Sequence, residues 1–306
     1  MHIYLPIAEV SVNWLVILGL GMAVGFLSGM LGVSGGFITT PLLIFYGIPA
    51  GVAVSTQASP IAAASLVGAL RQGQRNSVDY KMGIVLMIGG TAGSAFGVYL
   101  FKLLQKVGQI DFVVEASYVL LLGSVGGLML RESVQAFRAS RGGARAGERK
   151  LRRHTWIHNL PFKVRFRRSG LYTSAVPVIG LGFAVGILTA ILGTGGAFLL
   201  IPAKIYLLRM RTTMAVGTSQ FQMFVVAIAS TLMHSVTDFT VDIVLGFILV
   251  VGGVVGAQIG VGVGFRLRAE ELRMALAALL VVIAVRLFAD LVLPPTHLYS
   301  VAAGLQ

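Results

Sequence analysis

The sequence predicts an all-α polytopic membrane protein with two inverted-topology repeats of about five helical segments each, and a broken helix pair in each repeat. Three observations lead there. The composition is too apolar for water, ten apolar stretches fall into two groups of five, and one segment recurs 161 residues downstream.

Of 306 residues, 56% are apolar and 11% charged, against about 25% charged in an ordinary soluble domain. Mean hydropathy is +0.88. A soluble chain this apolar could not cover its surface, so lipid serves as solvent for most of it. No cysteine is present, which excludes disulfides, thiolate metal sites and a thiol relay. The 39 glycines suit the close helix contacts of membranes. Met1 to Asn13 carry no Lys or Arg, so no secretory leader is expected there.

Taken in order, the apolar stretches cover about 12–31, 37–48, 51–70, 82–101 and 113–130, then about 173–192, 197–208, 213–233, 242–264 and 272–292. A full span needs about 20 residues. Most stretches meet that length, but the second and seventh do not, and each of these follows a glycine-rich break. Gly25 to Pro41 (GFLSGMLGVSGGFITTP) aligns without gaps on Gly186 to Pro202 (GILTAILGTGGAFLLIP). Identities fall at Gly25/Gly186, Leu27/Leu188, Leu31/Leu192, Gly32/Gly193, Gly35/Gly196, Phe37/Phe198 and Pro41/Pro202. Ala53 to Thr56 then matches Ala215 to Thr218, Val78-Asp79 matches Val241-Asp242, and Gly89 to Gly93 matches Gly252 to Gly256. Residues 1–131 are therefore read as one membrane repeat, 132–171 as a loop and 172–306 as the second repeat.

The net charge of +13 is concentrated in that loop. From Arg131 to Arg168 there are twelve Lys or Arg and two Glu, a net +10. Such a stretch fixes topology and touches anionic lipid head groups; a nucleic-acid partner is not expected. With the 131–170 loop cytoplasmic, counting spans places both termini and the Asp238/Asp242 turn in the periplasm of a bacterial inner membrane. Arg71, Arg75, Lys81, Arg209, Arg211, Arg266, Arg268 and Arg273 then lie inside, and only Lys102 and Lys106 dissent. Five segments per repeat is an odd number, so the repeats are upside down relative to each other. In that architecture the substrate sits near the midplane between them.

The breaks are Gly32-Val33-Ser34-Gly35-Gly36 and Gly193-Thr194-Gly195-Gly196. Unwound backbone at membrane depth is tolerated only inside protein or along a watery cavity. The short helix after each break presents its first N–H groups and its positive dipole end, which can hold an anion. Tight packing is the competing use of these glycines. Two breaks in matching places favour binding by Ser34, Gly35, Gly36, Thr194, Gly195 and Gly196.

Gly32-x-x-Gly35-Gly36-Phe37 and Gly193-x-Gly195-Gly196-x-Phe198, each followed by Pro41 or Pro202 and later by a short Ser/Thr/Gln cluster, resemble the sulfite exporter TauE/SafE family. The resemblance covers about 12–131 and 172–292. It implies transport of sulfur-containing anions, including sulfite, sulfonates such as sulfoacetate, and related organic anions.

The polar clusters are Ser55-Thr56-Gln57 and Thr218-Ser219-Gln220. Thr56, Gln57, Ser219 and Gln220 are candidate donors to sulfonate or carboxylate oxygens; interhelical hydrogen bonding is the other use of such groups. Lys204 in the short seventh segment either binds the substrate or snorkels to the interface beside Arg209. Arg286 and Asp290, four apart, are expected to neutralise each other. The acids and His234 fall at segment ends, which leaves no visible proton relay. A monovalent anion leaving a cell that is negative inside gains about 2.3 kcal/mol per 100 mV, so export needs no ion partner. The reading is thus an exporter of a small sulfur-containing anion, with no catalytic residue, cofactor or metal. Uptake of a sulfur or carboxylate anion is the alternative. An intramembrane phosphatase lacks its acid, His and Arg groups at the breaks. The oligomeric state stays open, a homo-oligomer included.

Overall fold

The computed structural model describes residues 2–31, 35–141, 163–166, 168–208, 210–264 and 269–292. Gly32, Val33, Ser34, Arg209 and most of the basic loop lie outside the described residues. Ten helices are found among them. In the first half these are α1 (Trp14–Leu31), α2 (Gly36–Phe45), α3 (Ala50–Gln74), α4 (Tyr80–Lys106) and α5 (Ile110–Arg141). In the second they are α6 (Ala175–Leu192), α7 (Ala197–Tyr206), α8 (Thr212–Thr237), α9 (Ile243–Gly264) and α10 (Ala269–Val292). Seven are long and apolar enough to cross a membrane. The chain is an all-α polytopic membrane protein. The expected short segments are α2 and α7, with 10 residues each, or about 15 Å of helix.

Two short antiparallel hairpins were not foreseen. β1 (His2–Leu5) pairs with β2 (Val10–Asn13) before α1, and β3 (Lys163–Phe166) pairs with β4 (Leu171–Ser174) before α6. Their bounds differ by 161 throughout, the offset of the sequence repeat, so the recurring unit includes a hairpin. The junctions are alike too. Asn13 Oδ1 accepts from Leu15 N at 3.1 Å, and Ser174 Oγ accepts from Val176 N at 3.2 Å.

The halves pack reciprocally. The first helix of each lies on the fourth helix of the other, α1 on α9 and α6 on α4. Glycines at four-residue spacing make the contact. A Cβ on Gly252 would lie 2.6 Å from the Leu18 carbonyl oxygen, and one on Gly182 would lie 2.5 Å from that of Leu86. Without a hydrophobic drive between helices in lipid, such backbone approach is what holds them together. Contacts advance together along both partners: Gly21 meets Leu249, Gly25 meets Gly253 and Gly29 meets Ala257. α1 and α9 therefore run in the same direction. α3 and α8, the third helices, pack against each other in opposite directions, because Ile61 and Ala62 cluster with Ala227 while Gly68 meets Gln220. The fifth helices, α5 and α10, close an apolar core through Val114, Tyr118 and Leu122 with Leu280, Ile283 and Leu287.

Two aspartates tie this frame together. Asp79 caps α4 by accepting from Met82 N at 3.2 Å, and Asp242 caps α9 by accepting from Val244 N at 3.0 Å. The amide of Asp79 donates to Thr218 Oγ1 of α8 at 3.0 Å, and that of Asp242 donates to Thr56 Oγ1 of α3 at 2.9 Å. The second carboxylate oxygen of each receives a hairpin turn, Ser169 N at 2.9 Å on Asp79 and Ile7 N at 3.2 Å on Asp242. These acids lie at segment ends, as read from the sequence, yet they are buried structural caps.

Candidate functional site

The second break is fully described, and its sequence explains its shape. Gly193, Gly195 and Gly196 have φ of 61°, 67° and 59°, left-handed values that glycine adopts without steric cost. Gly193 N closes the end of α6 on Thr189 O at 2.9 Å. Thr194 Oγ1 accepts from Gly196 N at 3.3 Å. All four residues are buried. Gly35 differs, with a right-handed φ of −73°. Its constraint is space, since a Cβ there would lie 2.6 Å from Val24 Cγ1. The two breaks touch. A Cβ on Gly36 would lie 3.0 Å from Gly193 O and 3.1 Å from Thr194 O. Neither α2 nor α7 has a side-chain cap at its N-terminus.

A cavity of about 60 Å³ opens at the start of α2. Gly35, Gly36 and Thr39 line one wall, Gln57 and Pro60 of α3 another, and Gly253 of α9 a third. Gln57 is 3% exposed, and its Oε1 has no hydrogen-bond partner. Pro60 removes an N–H from α3, and Ser59 Oγ supplies the missing donor to Thr56 O at 2.9 Å.

In the second half the corresponding place holds polar groups. With Thr56 and Thr218 in register through their matched bonds, Ser219 stands where Gln57 stands, and Gln222 where Pro60 does. Gln222 is buried against Gly90 of α4 with Oε1 unpartnered, and Ser94, one turn along α4, has an unpartnered Oγ. Lys204 is completely buried and donates from Nζ to Ser219 Oγ at 3.0 Å. Among the described residues no carboxylate lies within ion-pair distance of it.

The predicted site residues are therefore distributed as follows. Gly35, Gly36 and Gln57 share the cavity. Gly195, Gly196 and Thr194 form the adjoining break, where Thr194 Oγ1 already accepts from Gly196 N within the turn. Lys204 and Ser219 are bonded to each other on α7 and α8. Thr56 engages Asp242, and Gln220 packs on Gly68 of α3 outside the cavity wall. Ser34 is outside the described residues. Thr39, Gln222 and Ser94 were not singled out as site residues, although the repeat offset carried forward to α4 and α8 points to the last two. Arg286 and Asp290 form the expected pair at 3.8 Å, both exposed.

The model of one family matches residues 17–287, which runs from within α1 to within α10 and includes both breaks; its description is sulfite exporter TauE/SafE. The chain belongs to the sulfite exporter TauE/SafE family. Relatives carry the corresponding label. A probable membrane transporter protein, YunE, of Bacillus subtilis is 24% identical over 90% of this chain and 97% of its own length. A probable membrane transporter protein of Xylella fastidiosa is 27% identical over 90% and 94%, and YjnA of Bacillus subtilis, similarly described, is 28% identical over 88% and 97%. No solved structure matches. As a TauE/SafE member the chain is a multi-pass membrane transporter, and its relatives are described as transporters, not as enzymes.

Proposed function

We propose that the chain exports a small sulfur-containing anion, sulfite or a C2 sulfonate such as sulfoacetate, across a bacterial inner membrane. The observation that carries this is Lys204. A lysine amine buried in a short helix with one neutral hydroxyl as partner is costly to keep charged unless an opposite charge joins it, and a bound anion supplies the charge that holds the proton there. Full burial argues against the snorkelling alternative for this residue.

The site proposed has two lobes at the touching breaks. One comprises Gly35, Gly36 and Gln57, where the uncapped start of α2 faces a cavity. The other comprises Lys204, Ser219, Gln222 and Ser94. Antiparallel α3 and α8, with parallel α1 and α9, are the packing expected of inverted repeats. That packing supports a site near the midplane, and the proposed orientation has both termini periplasmic and the 131–170 loop cytoplasmic against anionic lipid. Export follows from the potential alone, about 2.3 kcal/mol per 100 mV for a monovalent anion. The second reading is uptake, which needs a coupling ion; the buried His234–Asp238 pair favours it. Efflux from proteoliposomes under an imposed potential or an imposed pH gradient separates the two. Potential-driven sulfite or sulfoacetate efflux supports export, and flux that follows only the pH gradient supports coupled uptake.

A further inference from the structure

His234 was read from the sequence as an end-of-helix residue, but it is 1% exposed, and the side chain of Asp238 is fully buried beside it. His234 Nδ1 lies 3.0 Å from Asp238 Oδ2, and Nε2 lies 3.1 Å from the carbonyl oxygen of Ala190. Ala190 belongs to the last turn of α6, three residues before the second break. Helix ends leave their final carbonyls without intrahelical donors. Here Thr189 O receives Gly193 N, Leu192 O receives the Tyr118 hydroxyl, and Ala190 O receives the imidazole.

Both neighbours of the ring are oxygens of acceptor groups. A neutral imidazole has one N–H and one lone pair. Beside an ionised carboxylate it can satisfy only one of the two contacts, and the other sets lone pair against lone pair. Both bonds form only if the pair holds one more proton, either as imidazolium and carboxylate or as imidazole and carboxylic acid. The groups facing the pair from packed elements are the Phe101 ring edge of α4 at 4.8 Å, Lys102 of α4, which donates to Thr237 O at 3.3 Å, and Tyr118 of α5 on Leu192 O. Asp238 Oδ1 has no partner.

We infer that His234 and Asp238 form a proton-binding site, and that the proton held there fastens the end of α6 and so the second break. Loss of the proton leaves Ala190 O without its donor and loosens the turn into Gly193. By linkage, any rearrangement of the break that separates His234 from Ala190 O releases the proton. No step of this uses Lys204, and its test contains no anion, so it stands or falls separately from the anion reading.

Asp238→Asn is the informative variant. The asparagine amide donates to Nδ1 while Nε2–H donates to Ala190 O, so both contacts persist with a neutral ring. The melting temperature of the purified full chain is measured in detergent from pH 6 to pH 8.5 for wild type and D238N. The wild type is expected to lose stability as pH rises, by up to tenfold in its folding equilibrium per pH unit for one proton, and D238N is expected to lose less than half as much. If D238N does not purify, the double variant H234Q/D238N, with two neutral amides, should give the same flattening. A second reading uses Thr194→Cys in this cysteine-free chain. Its maleimide labelling should rise more steeply with pH in the wild-type background than in D238N. Parallel pH profiles of stability and of labelling in the two backgrounds would overturn the proposal.

Discussion

Replacing Lys204 with methionine should make the protein more stable and less able to respond to anions. The Lys204 amine is fully buried, and Ser219 Oγ at 3.0 Å is its partner. Burying an ion costs several kcal/mol even after relaxation, and a hydrogen bond to a charged group returns about 1.5–3 kcal/mol. Methionine of similar length fills the space with neither term, so a net gain of about 1–3 kcal/mol is expected. At about 2–4 °C per kcal/mol for a chain of comparable size, the melting temperature rises by about 2–12 °C. In the wild type, anion at about 100 times its Kd adds about 2.7 kcal/mol; in Lys204→Met it adds nothing. The assay is thermal unfolding of detergent-purified protein with and without sulfite or sulfoacetate. A variant that melts well below wild type, or that keeps the full anion-dependent shift, would refute the reasoning.

The remaining predictions concern the cavity, the frame and the topology. Gln57→Ala should weaken sulfoacetate binding about 10- to 150-fold, the loss of one hydrogen bond to a charged acceptor, with an unchanged melting temperature; calorimetry reads it. Thr56→Val and Thr218→Val should each cost about 1–3 kcal/mol by leaving the amide of Asp242 or Asp79 without its acceptor, and thermal unfolding should show similar losses for both. Gly196→Val should abolish folding or binding, since φ of 59° disfavours a β-branched residue and Val185 occupies the Cβ position. Single cysteines introduced at 131–170 should resist an impermeant label added to intact cells, whereas one at the exposed Phe239 or in the first hairpin should react.

The parts legible in the sequence were those set by hydropathy and by repetition. The half-length α2 and α7 could be read because a glycine-rich break interrupts an apolar run, and Gly193-Thr194-Gly195-Gly196 proved to need its glycines for three left-handed residues. The hairpins escaped notice because four-residue strands of mixed polarity carry no periodic signal, and their role comes from Asp79 and Asp242, distant in sequence. Those acids and His234 and Asp238 lie at segment ends as the sequence indicates, but position along a span says nothing about what covers its end, so their burial is visible only in the structure. The Ser/Thr/Gln clusters were paired by composition, one residue out of register. The match of Ala53–Thr56 with Ala215–Thr218 sets Ser219 opposite Gln57, the paired bonds of Thr56 and Thr218 agree with it, and Gln220 is left against Gly68. Lys204 could not be decided from sequence, because snorkelling and burial differ only in where the side chain turns.

The most direct test is flux. Proteoliposomes containing the purified chain, loaded with labelled sulfite or sulfoacetate and held negative inside, should release it in a saturable way, and Lys204→Met proteoliposomes should release it no faster than empty liposomes. A 100 mV potential should sustain about a 50-fold gradient of a monovalent anion. Absence of protein-dependent release for sulfite, sulfoacetate, taurine, isethionate and simple carboxylates alike, or release undiminished by Lys204→Met, would contradict an anion site at the two breaks.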